Sequence, residues 1–132
     1  MMLLKKILLV DDDKPMQIIT KMFLEKNKNF IVQVCDSGED ALAKAPVFLP
    51  DMILLDVVMP DMDGSSTLKL LREMPEFKNT LIVFITAKTY PEEIEEYRKM
   101  GVFDIINKPF EPSGLIEIIN NIWTRYQDSL NK

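Results

Sequence analysis

Short runs of apolar residues recur along the chain: Lys5 to Val10, Phe30 to Cys35, Met52 to Leu55, Leu81 to Ile85 and Phe103 to Ile106. They are continuous rather than alternating, and continuous runs of this length suit strands buried on both faces of a parallel sheet. Between them the spacing becomes helical. Ile18, Ile19, Met22 and Phe23 form one stripe. Ser37 stands at an N-cap position, with Glu39 and Asp40 in the first turn and Ala41, Leu42 and Ala45 facing inward. Leu68, Leu71 and Met74 mark a helix over 64–74. Pro91 opens another, with Glu92 and Glu93 in its first turn and Ile94 and Tyr97 turned inward. The last helix opens near Glu111, Pro112 and Ser113 and carries Leu115, Ile119, Ile122, Trp123, Tyr126 and Leu130.

Strand then helix, repeated along the chain, predicts an α/β fold: a doubly wound (βα)5 unit with a five-stranded parallel sheet, right-handed crossovers and helices on both faces. Residues 1–132 read as a single domain, with no linker, repeat or low-complexity segment. A hydrophobic content of 47% with 28% charged residues supports a packed core rather than disorder.

Composition then removes whole classes of function. No apolar run approaches the about 20 residues that cross a bilayer. The start, MMLLKKILLV, runs straight into Asp11 without a small-residue cleavage site, so the expectation is a cytoplasmic protein away from the membrane. A net charge of −5 argues against a nucleic-acid partner. The single cysteine, Cys35, excludes an internal disulfide and reads as a small core residue. There is no histidine, which rules out Ser-His-Asp triads, Cys-His pairs and histidine metal sites.

In such sheets sites form at the carboxyl ends of the strands, where strand order reverses. The residues that follow the runs are Asp11, Asp12 and Asp13; Asp36 and Ser37; Asp56; Thr86, Ala87 and Lys88; and Asn107, Lys108 and Pro109. In a flavodoxin-like order, 2-1-3-4-5, Asp11 and Asp12 would face Asp56. Close carboxylates in a partly buried site repel by about 4 kcal/mol per pair at an effective dielectric of about 20. A bound proton or a divalent cation relieves this, and an all-oxygen set suits Mg2+ (or Mn2+). With Lys108 and Thr86 added, the set suits an anionic phosphoryl group, and a carboxylate can serve as the nucleophile. Each residue also has a plainer reading. Asp12 or Asp13 could cap the first helix, with Pro15 in its first turn, and Met59 to Gly64 could be only a turn. Both readings hold together if Asp13 takes the cap.

Asp11-Asp12, Asp56 within LLDVVMPDMDG, Thr86-Ala87 and Lys108 in KPF, at these spacings, resemble the response-regulator receiver domains of bacterial two-component signalling. The resemblance covers essentially the whole chain. It implies that Asp56 accepts a phosphoryl group from a phosphohistidine on a sensor histidine kinase or phosphotransfer protein. It implies that Asp12, Asp56 and the Val58 backbone carbonyl ligate the metal, with Asp11 in its water shell. Lys108 would hold a phosphate oxygen, next to a cis Lys108-Pro109 bond, and Thr86 would move toward the phosphate as a switch. A downstream protein, or an output domain in a longer regulator, would read the change. The face formed by the fourth helix, fifth strand and fifth helix would meet partners or a second copy, and Glu92, Glu93, Glu95 and Glu96 make that helix acidic.

The chain departs from the family at Ile105, where a Tyr or Phe often serves as the moving aromatic. Strand alternation gives Phe103 the same face as Ile105, so a substitute role for Phe103 is open at this point. The expectation is signalling through loop and helix shifts after the fourth strand. Val58 and Lys88 stand where the family tunes the lifetime of the acyl phosphate. Two rival functions are a receiver-shaped binding module that is never phosphorylated and a DxD aspartyl-phosphate phosphatase using Asp11. The second requires Thr or Val where this chain has Pro15.

Overall fold

The computed structural model describes residues 3–131. Five parallel strands, β1 (Lys6–Val10), β2 (Ile31–Cys35), β3 (Met52–Asp56), β4 (Leu81–Thr86) and β5 (Asp104–Asn107), form one sheet in the order β2-β1-β3-β4-β5. The central strands β3 and β4 are buried at every position, which is why their sequences are unbroken apolar runs. Five helices connect and cover the sheet: α1 (Lys14–Leu24), α2 (Gly38–Phe48), α3 (Gly64–Glu73), α4 (Pro91–Lys99) and α5 (Leu115–Leu130). This is the doubly wound flavodoxin-like topology expected from the alternation.

The sheet separates two apolar layers. Ile7, Leu9, Leu54, Val83 and Ile106 pack with Leu24 of α1 and with Leu115, Ile119 and Trp123 of α5. Leu8, Val10, Leu55 and Phe84 pack with Ala41 of α2, Leu68 of α3 and Tyr97 of α4. Successive strand residues thus serve opposite layers. Ser37 caps α2 by accepting from the Asp40 amide at 3.0 Å, and Cys35 is buried, both as expected. The Cys35 thiol pKa is pushed up to about 12, chiefly by burial, so it is inert packing.

Two expectations are corrected. The apolar stripe of α1 is not its inner face: Ile18 is 66% exposed and Met22 53%, while Gln17, Thr20 and Leu24 are buried. Phe103 precedes β5 rather than opening it, so alternation does not apply to it. It packs in the α1/α5 layer, edge-on to Tyr126, whereas Ile105 packs in the opposite layer. Phe103 therefore cannot stand in for an aromatic at 105. A consequence follows for α1. Ile18→Ser and Met22→Ser should each change unfolding free energy by less than about 0.5 kcal/mol, the range for surface substitutions, in urea titrations. A loss of 2 kcal/mol or more, about what a buried side chain costs, would mean that the stripe is packed.

Candidate functional site

The acidic residues emerge where three strands end. β1 runs out at Val10, and Asp11 is tied to the end of β2 by its amide, which donates to the Cys35 carbonyl at 3.1 Å. Asp13 leaves the strand and caps α1, its carboxylate accepting from the Met16 amide at 3.3 Å, with Pro15 in the first turn. Asp56 is the last residue of β3, in register with Ile85 of β4. The neighbouring loops turn Asp11, Asp12 and Asp56 to one place, where one carboxylate oxygen from each lies within 4.8 Å of the others. Asp11 and Asp56 are buried and Asp12 is exposed.

Lys108 enters from the end of β5 and bridges two of them. Its Nζ donates to Asp56 Oδ2 at 3.2 Å and to Asp11 Oδ2 at 3.3 Å. The Lys108-Pro109 bond is cis, as the resemblance implied. The other oxygens are also engaged: Asp11 Oδ1 accepts from the Asp13 amide at 2.9 Å and Asp56 Oδ1 from the Val58 amide at 3.2 Å. Burial opposes the Lys108 charge, but Asp56 and Asp11 outweigh it and hold its pKa above the ordinary value. Asp56 fares differently. Burial pushes its pKa from 3.8 up to about 6; Lys108 opposes the rise and Asp11 adds to it. An ammonium that Asp56 shares with Asp11 does not fully offset the cost of burying the Asp56 charge.

Thr86 closes β4 with its hydroxyl buried, accepting from the Lys88 amide at 3.0 Å. Val58, two residues past Asp56, is 54% exposed, and Lys88 is exposed. Thr89 bridges the β4–α4 loop to the end of β5 by donating to Asn107 at 3.0 Å.

One supporting residue was missed in the sequence. Gln17 sits on the buried side of α1 and donates from Nε2 to the Asp11 carbonyl and, at 2.8 Å, to Asp36 Oδ1. Lys14 reaches the same Asp36 oxygen at 2.8 Å, and these hydrogen bonds, that of Lys14 first, hold the Asp36 carboxyl below its usual range. The acidic loop is thereby fastened to both α1 and the β2–α2 turn. The only available signal was a polar residue inside a helical segment, which ordinarily marks an exposed position.

The site contains oxygen ligands, one fixed cation and no sulfur or imidazole, a donor set that fits a hard divalent cation.

Comparison with known proteins agrees with this geometry. The response regulator receiver domain family matches residues 7–120. The chain is 34% identical over 128 residues to the probable C4-dicarboxylate response regulator DctR of Halalkalibacterium halodurans, covering 96% of this chain and 53% of that protein. It is 29% identical over 118 residues to the chemotaxis protein CheY of Thermotoga maritima, covering 89% of this chain and 97% of that one. The Vibrio cholerae chemotaxis protein CheY4 superposes with a TM-score of 0.83 at 31% identity, covering 91% of this chain and 99% of CheY4. The chain spans about half the length of several curated relatives, DctR among them. Among the described residues no helix is long and apolar enough to cross a membrane. The sheet order, the acidic cluster with its lysine and the family match agree: this chain belongs to the response-regulator receiver domains of two-component signalling.

Proposed function

We propose that the domain is a phosphoacceptor switch. Asp56 takes a phosphoryl group from the phosphohistidine of a sensor histidine kinase or phosphotransfer protein, in a Mg2+-dependent reaction, and the change alters partner binding. The observation that carries this is the convergence of Asp11, Asp12, Asp56 and Lys108 at the carboxyl ends of their strands.

Asp56 supplies the nucleophilic oxygen. The new bond joins it to phosphorus, the phosphorus–nitrogen bond of the donor breaks, and its electron pair returns to the imidazole. Asp12, Asp56 and the Val58 carbonyl would hold the cation, with Asp11 at one remove. When bound, that cation neutralises charge on the phosphoryl oxygens and lowers the repulsion met by the incoming group. Lys108, no longer needed to offset an ionised Asp56, donates to a phosphoryl oxygen. Thr86 can donate its hydroxyl proton, because its bond from the Lys88 amide uses only a lone pair. The domain thus promotes its own phosphorylation and slow hydrolysis without being a conventional enzyme. Val58 and Lys88, exposed beside the acceptor, would tune how long the acyl phosphate lasts. The surface formed by α4, β5 and α5 would meet a downstream partner, an output domain or a second copy.

Incubation with acetyl phosphate and Mg2+, followed by intact mass measurement, should add one phosphoryl group to the wild type and none to Asp56→Asn. No gain in the wild type, an equal gain in the variant, or a label mapped to Asp11 would overturn the assignment.

A further inference from the structure

Gln17 is a neutral polar side chain buried under α1, at 6% exposure, with Thr20 and Leu24 on the same buried face. Its Nε2 donates to the Asp11 carbonyl and, at 2.8 Å, to Asp36 Oδ1. Both acceptors are oxygens, so only the nitrogen end of the amide can stand between them, one hydrogen on each. The Asp36 carboxylate is held in turn by Lys14 Nζ at 2.8 Å, and the Asp36 amide donates to Asp40 Oδ2 at 3.1 Å. The Asp11 carbonyl belongs to the planar peptide that joins Asp11 to Asp12. Its direction therefore decides how these two carboxylates leave the chain. The other side of Asp11 is fixed by its amide, which donates to the Cys35 carbonyl at 3.1 Å. Asp11 is buried and Asp12 exposed, yet a carboxylate oxygen of each lies within 4.8 Å of one from Asp56.

We propose that Gln17 is a positioning residue for the cation side of the site: it fixes the Asp11–Asp12 peptide and thereby sets the affinity for Mg2+, while Asp36 orients its amide. The inference deepens the phosphoacceptor reading above and rests on it. Without the Gln17 amide, the Asp11 carbonyl loses a hydrogen bond on the buried side of α1. The peptide then turns toward another donor or toward water, and the Asp12 carboxylate swings with it. Asp56 closes β3 and keeps its place in the sheet. A displaced ligand must be brought back when the ion binds, so the cost falls on affinity and not on the rate of the loaded site. Neither Gln17 nor Asp36 is one of the clustered carboxylates, and both act through the loop that carries them.

Calorimetric titration with Mg2+ tests this without any phosphodonor. Gln17→Met has a similar length and no donor. Its dissociation constant for Mg2+ should rise about tenfold, the low end of the penalty for losing a group that orients a metal ligand. Labelling by acetyl phosphate should then need about tenfold more Mg2+ for half its maximal rate, yet reach a maximum within about threefold of the wild type. Asp36→Ala, at an exposed position, carries the same test if Gln17→Met does not fold. It should weaken Mg2+ binding by about threefold through the loss of one orienting hydrogen bond. Leu24→Val loosens the far end of the same helix face and should leave the constant within about twofold of the wild type. Unchanged affinity in either site variant, an equal loss in Leu24→Val, or a lower maximal rate at unchanged half-saturation would overturn the role of Gln17. If the wild type itself binds no Mg2+, or gains no mass from acetyl phosphate, the phosphoacceptor reading falls instead.

Discussion

Gly64→Ala will destabilise the domain by about 3 kcal/mol, the upper part of the range for overpacking a rigid site. It will also slow phosphorylation of Asp56 by about a hundredfold, the usual penalty for a misplaced reacting group. Gly64 opens α3, is buried, and donates its amide to the Val57 carbonyl at 2.8 Å. A Cβ placed there would lie 2.5 Å from the Asp56 carbonyl oxygen and 2.7 Å from Val57 Cα. Both are backbone atoms of the segment that carries Asp56, so no side-chain rotation relieves the clash. Either α3 backs away and loses the amide bond, or the end of β3 shifts and takes Asp56 with it. The helical preference of alanine over glycine returns less than about 1 kcal/mol. Urea midpoints and the initial rate of labelling by acetyl phosphate check both parts. A stability loss below about 1 kcal/mol with a normal rate would show that the contact yields easily.

Without divalent cations, Asp56→Asn will make the protein more stable near neutral pH by about 2–3 kcal/mol, from a shift of roughly two pKa units. Asp56 titrates at 3.8 when unfolded and at about 6 in the fold, raised chiefly by burial. Between these values the native state holds a proton that the unfolded chain has lost, so native stability falls as pH rises through about 6. The penalty is complete above that range and absent below the unfolded pKa. Asparagine carries no such penalty, and Lys108 retains Asp11 at 3.3 Å as a partner. In a chelating buffer the two proteins should therefore unfold alike near pH 4, draw apart as the pH rises to about 6 and keep a constant gap above that, with the variant more resistant to urea. Restoring Mg2+ should favour the wild type more and narrow the gap. Parallel curves across this range would show that burial of the Asp56 charge costs little.

The sheet and the acid cluster were legible because they follow from simple rules. Strands buried on both faces need unbroken apolar runs, and β3 and β4 have them. Residues after such runs meet at one edge of a parallel sheet, which brought Asp11, Asp12, Asp56 and Lys108 into a single reading. Helix α1 was not legible from hydropathy. Its buried Gln17 satisfies the backbone of the acid loop, while Ile18 and Met22 face outward, so its pattern reports site support on one side and exposed surface on the other. Phe103 was misplaced because alternation was counted from a strand start one residue too early.

The lysine bridge also has a stoichiometric consequence. When all three carboxylates of the cluster carry charge, the one ammonium of Lys108 leaves two negative charges uncompensated. A single divalent ion cancels them completely. A sodium or potassium ion leaves one charge standing, and a trivalent ion overshoots by one. If the site holds a cation as proposed, the count of charges alone would favour a divalent ion before any preference of ionic radius is added, and Lys108 is the residue that sets the count.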